Sequence, residues 1–385
     1  MTTAAYVDEL RGLGLAAGLA AVGVASAEPF ASACGVLRER KAAGLHGSLH
    51  FTYGNPERAT DPSRALPGAR ALVVGARSYR RSERRPRGGE PLARVARYAW
   101  ADHYGPLREA LERMARRLQS DGWRTRVLAD DNALVDREAA TRAGLGWYGK
   151  NTNVLLPGRG SWFVLGSIVT DAPLPAAAER VADGCGPCRR CLPACPTGAL
   201  IAPGVLDARR CLAALVQRPG SFPVEYRVAL GDRLYGCDDC QEVCPPNRAS
   251  DRAETPLPAD DDDEPWVPVL DLLGRSDAEL LARFGRWYIP RREPRYLRRN
   301  ALVVLGNVGD GSAPAVVAAL RRAIADADPL VRAHALWAAH RLGRADLVGA
   351  GLAHERDPTV LADARAWAGP AGPGGHEQDQ ELPGP

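Results

Sequence analysis

The stretch Cys185-Gly186-Pro187-Cys188-Arg189-Arg190-Cys191-Leu192-Pro193-Ala194-Cys195-Pro196 decides how this chain is read. Its spacing, C-x2-C-x2-C-x3-C-P, is the signature of bacterial two-cluster ferredoxins, in which the fourth cysteine ligates the other [4Fe–4S] cluster. Three thiolates two residues apart wrap three corners of one cubane, and the proline turns the chain away toward a second. Structural zinc pairs its thiolates differently, and a disulfide framework calls for an oxidising compartment and usually a small chain. Iron–sulfur clusters are therefore the expectation, ahead of zinc and disulfides.

Nine cysteines occur in the chain, and only Cys34 lies outside the region from Cys185 to Cys244. The second half of the pattern is Cys237, Cys240 and Cys244-Pro245. A tandem ferredoxin would place its missing cysteine three residues before Cys237, but that position is Leu234, so Cys211 must stand in from upstream. Exchanging the C-P cysteines between halves gives Cys185, Cys188, Cys191 and Cys244 for one cluster. Cys195, Cys211, Cys237 and Cys240 remain for the other.

The length of 385 residues suggests two or three domains. With 45% hydrophobic and 25% charged residues, the composition is that of an ordinary globular protein, and a net charge of +4 requires any nucleic-acid surface to be local. Leu13–Ala27 could pass for the apolar part of a signal peptide. Asp8 and Glu9 outweigh Arg11 before it, however, and no twin-arginine pair or membrane-length apolar run occurs, so a cytoplasmic protein without membrane association is expected.

Residues 1–175 read as an α/β domain. Val22–Ala25, Leu72–Val74, Arg126–Ala129, Val154–Leu156 and Trp162–Thr170 are expected strands, and Leu107, Leu111, Met114 and Leu118 fall at helical spacing. Residues 176–250 form the cluster module, with a loop at Pro219–Pro223, and the acidic, proline-rich residues 251–270 read as a linker. Residues 271–368 read as helical. Asp328-Pro329-Leu330-Val331-Arg332 has the D-x-x-V-R start of a HEAT-type repeat, with echoes at Leu297–Leu302 and Asp357–Val360, which argues for a short α-solenoid. The Gly/Pro-rich tail, residues 369–385, is expected to be disordered.

Taken together, several segments resemble the epoxyqueuosine reductase family over nearly the whole chain. They are Val135-Asp136-Arg137, Ala143–Asn151 (AGLGWYGKN), Gly160–Gly166 (GSWFVLG), Leu206–Cys211 (LDARRC) and Tyr235–Gln241 (YGCDDCQ), the last two being the most specific. The resemblance implies a multidomain α/β plus α protein: a nitroreductase-like domain holding cobalamin, a two-cluster ferredoxin-like module and a HEAT-like α-solenoid. It also implies reduction of epoxyqueuosine to queuosine at the wobble position of tRNA, with electrons passing through the clusters to cobalamin. Cobalamin would bind base-off, and the D-x-H-x-x-G pattern of histidine-ligated cobalamin proteins is indeed absent.

Turning an epoxide into an alkene and water consumes two electrons and two protons, so the departing oxygen needs a proton donor. A carboxylic acid whose pKa is raised by burial suits that role. The resemblance assigns it to Asp136; read alone, Asp136 is a surface or helix-capping aspartate before Arg137-Glu138. As cobalamin contacts the resemblance implies Arg58, Arg97, Asp136, Gly160, Asp171, Ala213 and Asp238. The R-Y-A stretch Arg97–Ala99 matches the family, whereas Ala101–Gly105 departs from it, which leaves His103 without a role.

Arg286, Arg291, Arg292, Arg295, Arg298 and Arg299 are interleaved with Trp287, Tyr288 and Tyr296, a composition suited to phosphates and splayed bases of a tRNA loop. A second basic run, Arg77, Arg80, Arg81, Arg84, Arg85 and Arg87, reads as a surface loop. Competing functions are a reductive dehalogenase-like corrinoid enzyme and a simple ferredoxin-type carrier. The first lacks a use for the arginine-rich helical part, and the second leaves the α/β domain idle. A monomer served by an unidentified low-potential electron donor is the expected assembly.

Overall fold

The computed structural model describes residues 3–83, 88–253 and 263–368. Arg84, Arg85, Arg87, part of the acidic run and the tail expectation lie outside them. The sheet at the centre of the N-terminal part runs in the order Ala21–Ser26, Ala71–Ser78, Phe163–Thr170, Thr125–Ala129, and every pairing is antiparallel. Six consecutive residues of the second strand, from Ala71 to Ala76, are buried, because helices cover both faces. Alternate side chains divide between two cores. Val73 and Ile168 meet Leu10, Leu107, Leu111, Met114 and Leu118, while Leu72, Val74 and Val169 meet Leu128, Ala139 and Ala140.

The Tyr104–Ser120 helix follows from its pattern: Leu107, Ala110, Leu111, Met114, Ala115 and Leu118 are buried at three- and four-residue spacing, and the helix stops before Gly122. The Asp136–Arg142 helix covers the opposite face of the sheet.

A second, three-stranded sheet joins distant parts of the chain. Leu92–Val95 lies between Arg233–Tyr235, its parallel neighbour, and Trp266–Pro268, its antiparallel one. The expected linker at 251–270 is corrected at its two ends, its middle lying outside the described residues: Pro245–Ala253 is a helix, and Val267 is fully buried in a strand. Composition suggested a solvated segment, but the apolar Trp-Val-Pro-Val-Leu run at its end has a sheet edge to join. The largest core runs from Ala93, Val95 and Trp100 through Leu212, Phe222 and Leu234 to Val304 and Trp337.

Beyond this lie the helices Arg295–Val308, Pro314–Ile324, Pro329–Arg341, Ala345–His354 and Pro358–Ala368. Asp328 caps the third of them, its carboxylate accepting from the Leu330 N–H at 2.8 Å, with Pro329 in the first turn. That helix is buried on nearly every side, from Val331 to Ala339, because its neighbours flank it. Among the described residues no helix is long and apolar enough to cross a membrane.

Candidate functional site

Five of the eight thiols are shifted, and the neighbours they sense sort all eight into two groups. The Cys244 thiol is raised to about 11, first by burial and then by Cys185, Cys191 and Cys188. Cys191 likewise senses Cys185 and Cys188. The second group is separate: burial first, then Cys237, Cys211 and Cys195, push Cys240 well above the thiol range, and Cys211 is raised by burial and by Cys195. Among the described residues no three Cys, His, Asp or Glu side chains converge closely enough to hold a single metal ion.

Backbone amides point at the sulfurs. The Ala199 N–H donates to Cys195 Sγ at 3.2 Å, and the N–H groups of Ala213 and Ala214, in the short helix after Cys211, lower that thiol. Such hydrogen bonds favour the thiolate and tune a cluster's potential. The glycine-rich Gly146–Asn151 turn clamps the first loop: Lys150 Nζ donates to the carbonyls of Gly186 and of Cys188, the latter at 2.9 Å. Gly236 has φ +74°, and a Cβ there would stand 2.4 Å from that of Ala96, which explains glycine before Cys237.

Asp136 opens its helix, but it does not cap it. Val135 is the N-cap residue, and Asp136 makes no ion pair or side-chain hydrogen bond with another described residue. The capping alternative is thus set aside. The carboxyl is only partly exposed, and burial pushes it well above the usual carboxylate range, with Asp130 adding to the rise and Arg137 opposing it. Arg137, which donates to Thr152 O at 3.0 Å, is also felt by the Cys211 thiol. The aspartate therefore stands on the side of the second thiol group. Tyr104 lines the same space, raised by burial and then by Asp130 and Asp136.

A buried polar network joins the α/β part to the cluster module. Asp238 accepts from the Arg97 N–H at 2.7 Å and from Gln241 Nε2 at 3.2 Å. Gln241 Oε1 in turn accepts from the hydroxyls of Ser161 (2.8 Å) and Tyr79 (3.3 Å), and Asn247 Oδ1 accepts from the Ser161 N–H at 2.6 Å. Burial is the main reason Asp238 is raised to about 6, against the pull of the Arg97 amide. Tyr79, Tyr104, Lys150, Gln241 and Asn247 were not singled out individually from the sequence. Lys150 and Gln241 do lie in motifs quoted for the resemblance, whereas the tyrosines stand in no pattern.

The other expected contacts scatter. Arg58 is exposed beside Asp136, since the neighbouring Ala59 O accepts from the Val135 N–H at 2.9 Å. Ala213 flanks Cys211. Arg97 lies over the Trp162 ring at 4.6 Å and within 3.7 Å of Asp251. Gly160 (φ +72°) faces Asn247, whose Oδ1 stands 2.0 Å from where a Cβ would be. Asp171 receives Arg124 Nε at 2.7 Å at the Thr170 end of its strand. Asp130 follows the opposite end of the paired strand, about 14 Å away at 3.4 Å per residue, so the structure does not bring Asp171 to Asp136.

The arginine run is likewise divided. Arg299 is corrected from the RNA-facing set: it is fully buried and donates to the carbonyls of Gly220 (2.6 Å), Arg218 (2.7 Å) and Val216 (3.0 Å). Arg286 is tied to Trp100 O at 2.8 Å, and Arg298 to Asp277 and Arg275 O. Arg295 pairs with Glu293 at 2.6 Å. Arg291 and Arg292 are exposed, in left-handed backbone at φ 52° and 56°. Trp287 and Tyr296 are buried, leaving Tyr288, 64% exposed, as the one aromatic of the three that faces solvent.

A mixed α/β body that sets a carboxyl raised by burial on the side of one of two four-thiol sets defines an iron–sulfur oxidoreductase. In agreement, a 4Fe-4S double cluster binding domain model matches residues 184–247, and the model described as epoxyqueuosine reductase QueG, DUF1730 matches residues 59–131. The epoxyqueuosine reductase of Xanthomonas campestris pv. campestris is 38% identical over 78% of this chain and 86% of its own length. That of Bacillus subtilis is 35% identical over 85% of each. The chain belongs to the epoxyqueuosine reductase family. Among solved structures, an epoxyqueuosine reductase with a tRNA-Tyr epoxyqueuosine-modified stem loop superposes with a TM-score of 0.84 at 30% identity, covering 94% of this chain and 97% of that one. The Bacillus subtilis enzyme with its catalytic aspartate loop swung out of the active site gives 0.85 at 31% identity, covering 94% and 98%.

Proposed function

We propose that this protein reduces epoxyqueuosine to queuosine at the wobble position of tRNA, with Asp136 supplying the proton to the departing epoxide oxygen. The observation that carries the assignment is a carboxyl raised by burial, without an ion-pair or hydrogen-bond partner among the described residues, beside a cluster-type thiol set in a chain of this family. The family's structure with an epoxyqueuosine-modified stem loop supports tRNA as substrate, and the relative with a mobile catalytic aspartate loop supports Asp136, which follows the Asp130–Val135 loop.

One [4Fe–4S] cluster would be held by Cys185, Cys188, Cys191 and Cys244, the other by Cys195, Cys211, Cys237 and Cys240, as the two coupled thiol groups suggest. The N-terminal part is taken as nitroreductase-like with cobalamin, and the C-terminal helices as a HEAT-like solenoid. Cobalamin, when bound, supplies a strongly reducing cobalt centre. Arg58 and Ala213 are the positions still open to hold it, beside Asp136; Asp171 is tied to Arg124, Asp238 to the Arg97 N–H and Gln241, Arg97 to Asp251, and the Gly160 backbone to Leu156. Asp136 holds the proton at its carboxyl until the C–O bond breaks; Tyr104 and Arg137 fix the surroundings of that carboxyl. Arg291, Arg292 and Tyr288, with Arg295 and Arg298 behind them, form the face offered to the tRNA loop.

The test is turnover by reduced, cluster-loaded protein on epoxyqueuosine-containing tRNA, read by nucleoside mass spectrometry. Wild type should yield queuosine. Asp136→Asn should retain iron and tRNA binding while losing at least about 100-fold in rate, the scale of general acid catalysis. Full turnover in that variant would remove Asp136 from the chemistry.

A further inference from the structure

The two thiol sets are not equally placed. Cys237 and Cys240 flank Asp238, which is buried and accepts from the Arg97 N–H at 2.7 Å, and the Cys240 carbonyl accepts from Asn151 at 3.4 Å, so this set is drawn in against the α/β part. Three of the first set, Cys185, Cys188 and Cys191, lie on a loop whose residues 182–184, 186, 187, 189 and 190 are exposed. Arg189 and Arg190 sit between two of its ligands, and Arg248 follows Cys244 by one helical turn, so it emerges over the same ligand. All three are exposed, and none has an ion-pair partner among the described residues.

The surroundings add to the positive field. Lys150 is held under the loop by the Gly186 and Cys188 carbonyls, and its own carbonyl accepts from the Gly204 N–H at 2.9 Å. Arg40 reaches Gly204 O at 2.8 Å. The antiparallel hairpin of Leu200–Ala202 and Val205–Leu206, which turns at Gly204, presents Ile201, 47% exposed, with exposed Pro203 beside it; Pro187 and Pro193 are exposed on the loop itself. Of the nearby acids, Asp183 caps the Cys185 N–H at 2.8 Å and Glu242 is paired with Arg94 at 3.0 Å. The result is a small apolar surface beside the outer set on which the cations Arg189, Arg190, Arg248, Lys150 and Arg40 outnumber the one unpaired acid, Asp183.

Building on the reading above, we propose that this Arg189–Arg190–Arg248 face is the docking surface for an acidic, low-potential one-electron carrier protein. A basic rim attracts an acidic partner and aligns it, while the apolar centre allows close approach. Each docking passes one electron from the reduced carrier to the Cys185, Cys188, Cys191 and Cys244 set, and the carrier leaves oxidised. Two such events, with two protons, balance the conversion of one epoxide into one alkene and one water.

The probe is a reduced flavodoxin, an acidic one-electron carrier, set against methyl viologen radical as a small reductant that needs no docking face. Arg189→Glu/Arg190→Glu should raise the KM for flavodoxin at least 10-fold, leave turnover with methyl viologen within twofold and retain full iron. Binding of flavodoxin to immobilised wild-type protein should weaken steeply between 50 and 200 mM KCl, and the double variant should not bind. Arg189→Lys/Arg190→Lys should restore the KM. Arg248→Glu lies outside the ligand loop, so it reads the same face if the double variant loses iron; a several-fold rise in its flavodoxin KM is expected. An unchanged flavodoxin KM with iron intact overturns the proposal, as does a rise confined to the KM for tRNA, which would make the face an RNA surface. Wild type inactive with methyl viologen would instead defeat the epoxide-reductase reading, while the binding measurement still reports on docking.

Discussion

At the scale of single residues, Asp136 and His103 are shifted in opposite directions by the same cause. Burial favours the neutral form of each, so it raises the acid and lowers the base. An unfolded Asp136 ionises near 3.8, whereas the folded carboxyl keeps its proton well above that. Between those values the folded state holds the extra proton, so its stability falls as pH rises through the window. Asp136→Asn, which cannot ionise, should therefore raise Tm at pH 8 by a few degrees and change it little at pH 4, each kcal/mol corresponding to about 2–4 °C for a domain of 150–250 residues. Parallel wild-type and variant curves from pH 4 to 8 would show that the carboxyl is not held neutral. His103 is buried with Nε2 unpartnered and is pushed down to about 4, first by burial and then by Arg81. Here the unfolded state binds the extra proton, and stability should fall as pH drops from about 6.5 toward 4. In His103→Gln that acid-side loss should shrink, as thermal melts at pH 5 and 7 would measure.

At the scale of elements, local patterns were legible and their partners were not. The C-x2-C-x2-C-x3-C-P run could be read because the ligands of one cubane are mostly close in sequence, and the 104–120 helix because its buried positions repeat every three or four residues. The pairing of Leu92–Val95 with Arg233–Tyr235 has no local signal, since its partner lies far along the chain. Arg299 shows the same limit in one side chain. In sequence it is one of six arginines among aromatics, but the Arg295–Val308 helix turns it inward, onto the carbonyls that end the Leu212–Leu215 helix and its loop. Arg299→Met leaves those acceptors unpaired in the core, at a cost of about 1–3 kcal/mol for each one stranded. Chemical denaturation should show a loss of at least about 3 kcal/mol, with tRNA affinity of the folded fraction unchanged. Arg291→Ala/Arg292→Ala should do the reverse, weakening tRNA binding without loss of stability. If Arg299→Met is as stable as wild type, its buried hydrogen bonds have been misjudged.

At the scale of the whole molecule, the helical C-terminal part is continuous with the module that carries the thiols. One core links Leu212, Phe222 and Leu234 to Val304 and Trp337. Across it, fully buried Arg227 pairs with Asp363 at 2.5 Å, and His334 Nε2 accepts from the Phe222 N–H at 3.1 Å. Those contacts fix the 217–223 loop, which leads from the Cys211 helix toward Cys237. Sequence reading divided this region at residue 270 because composition changes there, but composition does not report which apolar faces meet. A chain ending at residue 270 would expose Leu212, Phe222 and Leu234 and leave Arg227 without its carboxylate, and breaking a buried pair from one side costs about 3–5 kcal/mol. Such a fragment should lose the iron of the Cys195, Cys211, Cys237 and Cys240 set first, because Cys211 and Cys237 hang on the affected segments. Full-length protein should instead lose cluster absorbance and helical circular dichroism in a single coincident transition. A 1–270 fragment that keeps eight irons and melts like the full chain would show that the cluster module stands without the helices, and the shared core would then be contact without cooperativity.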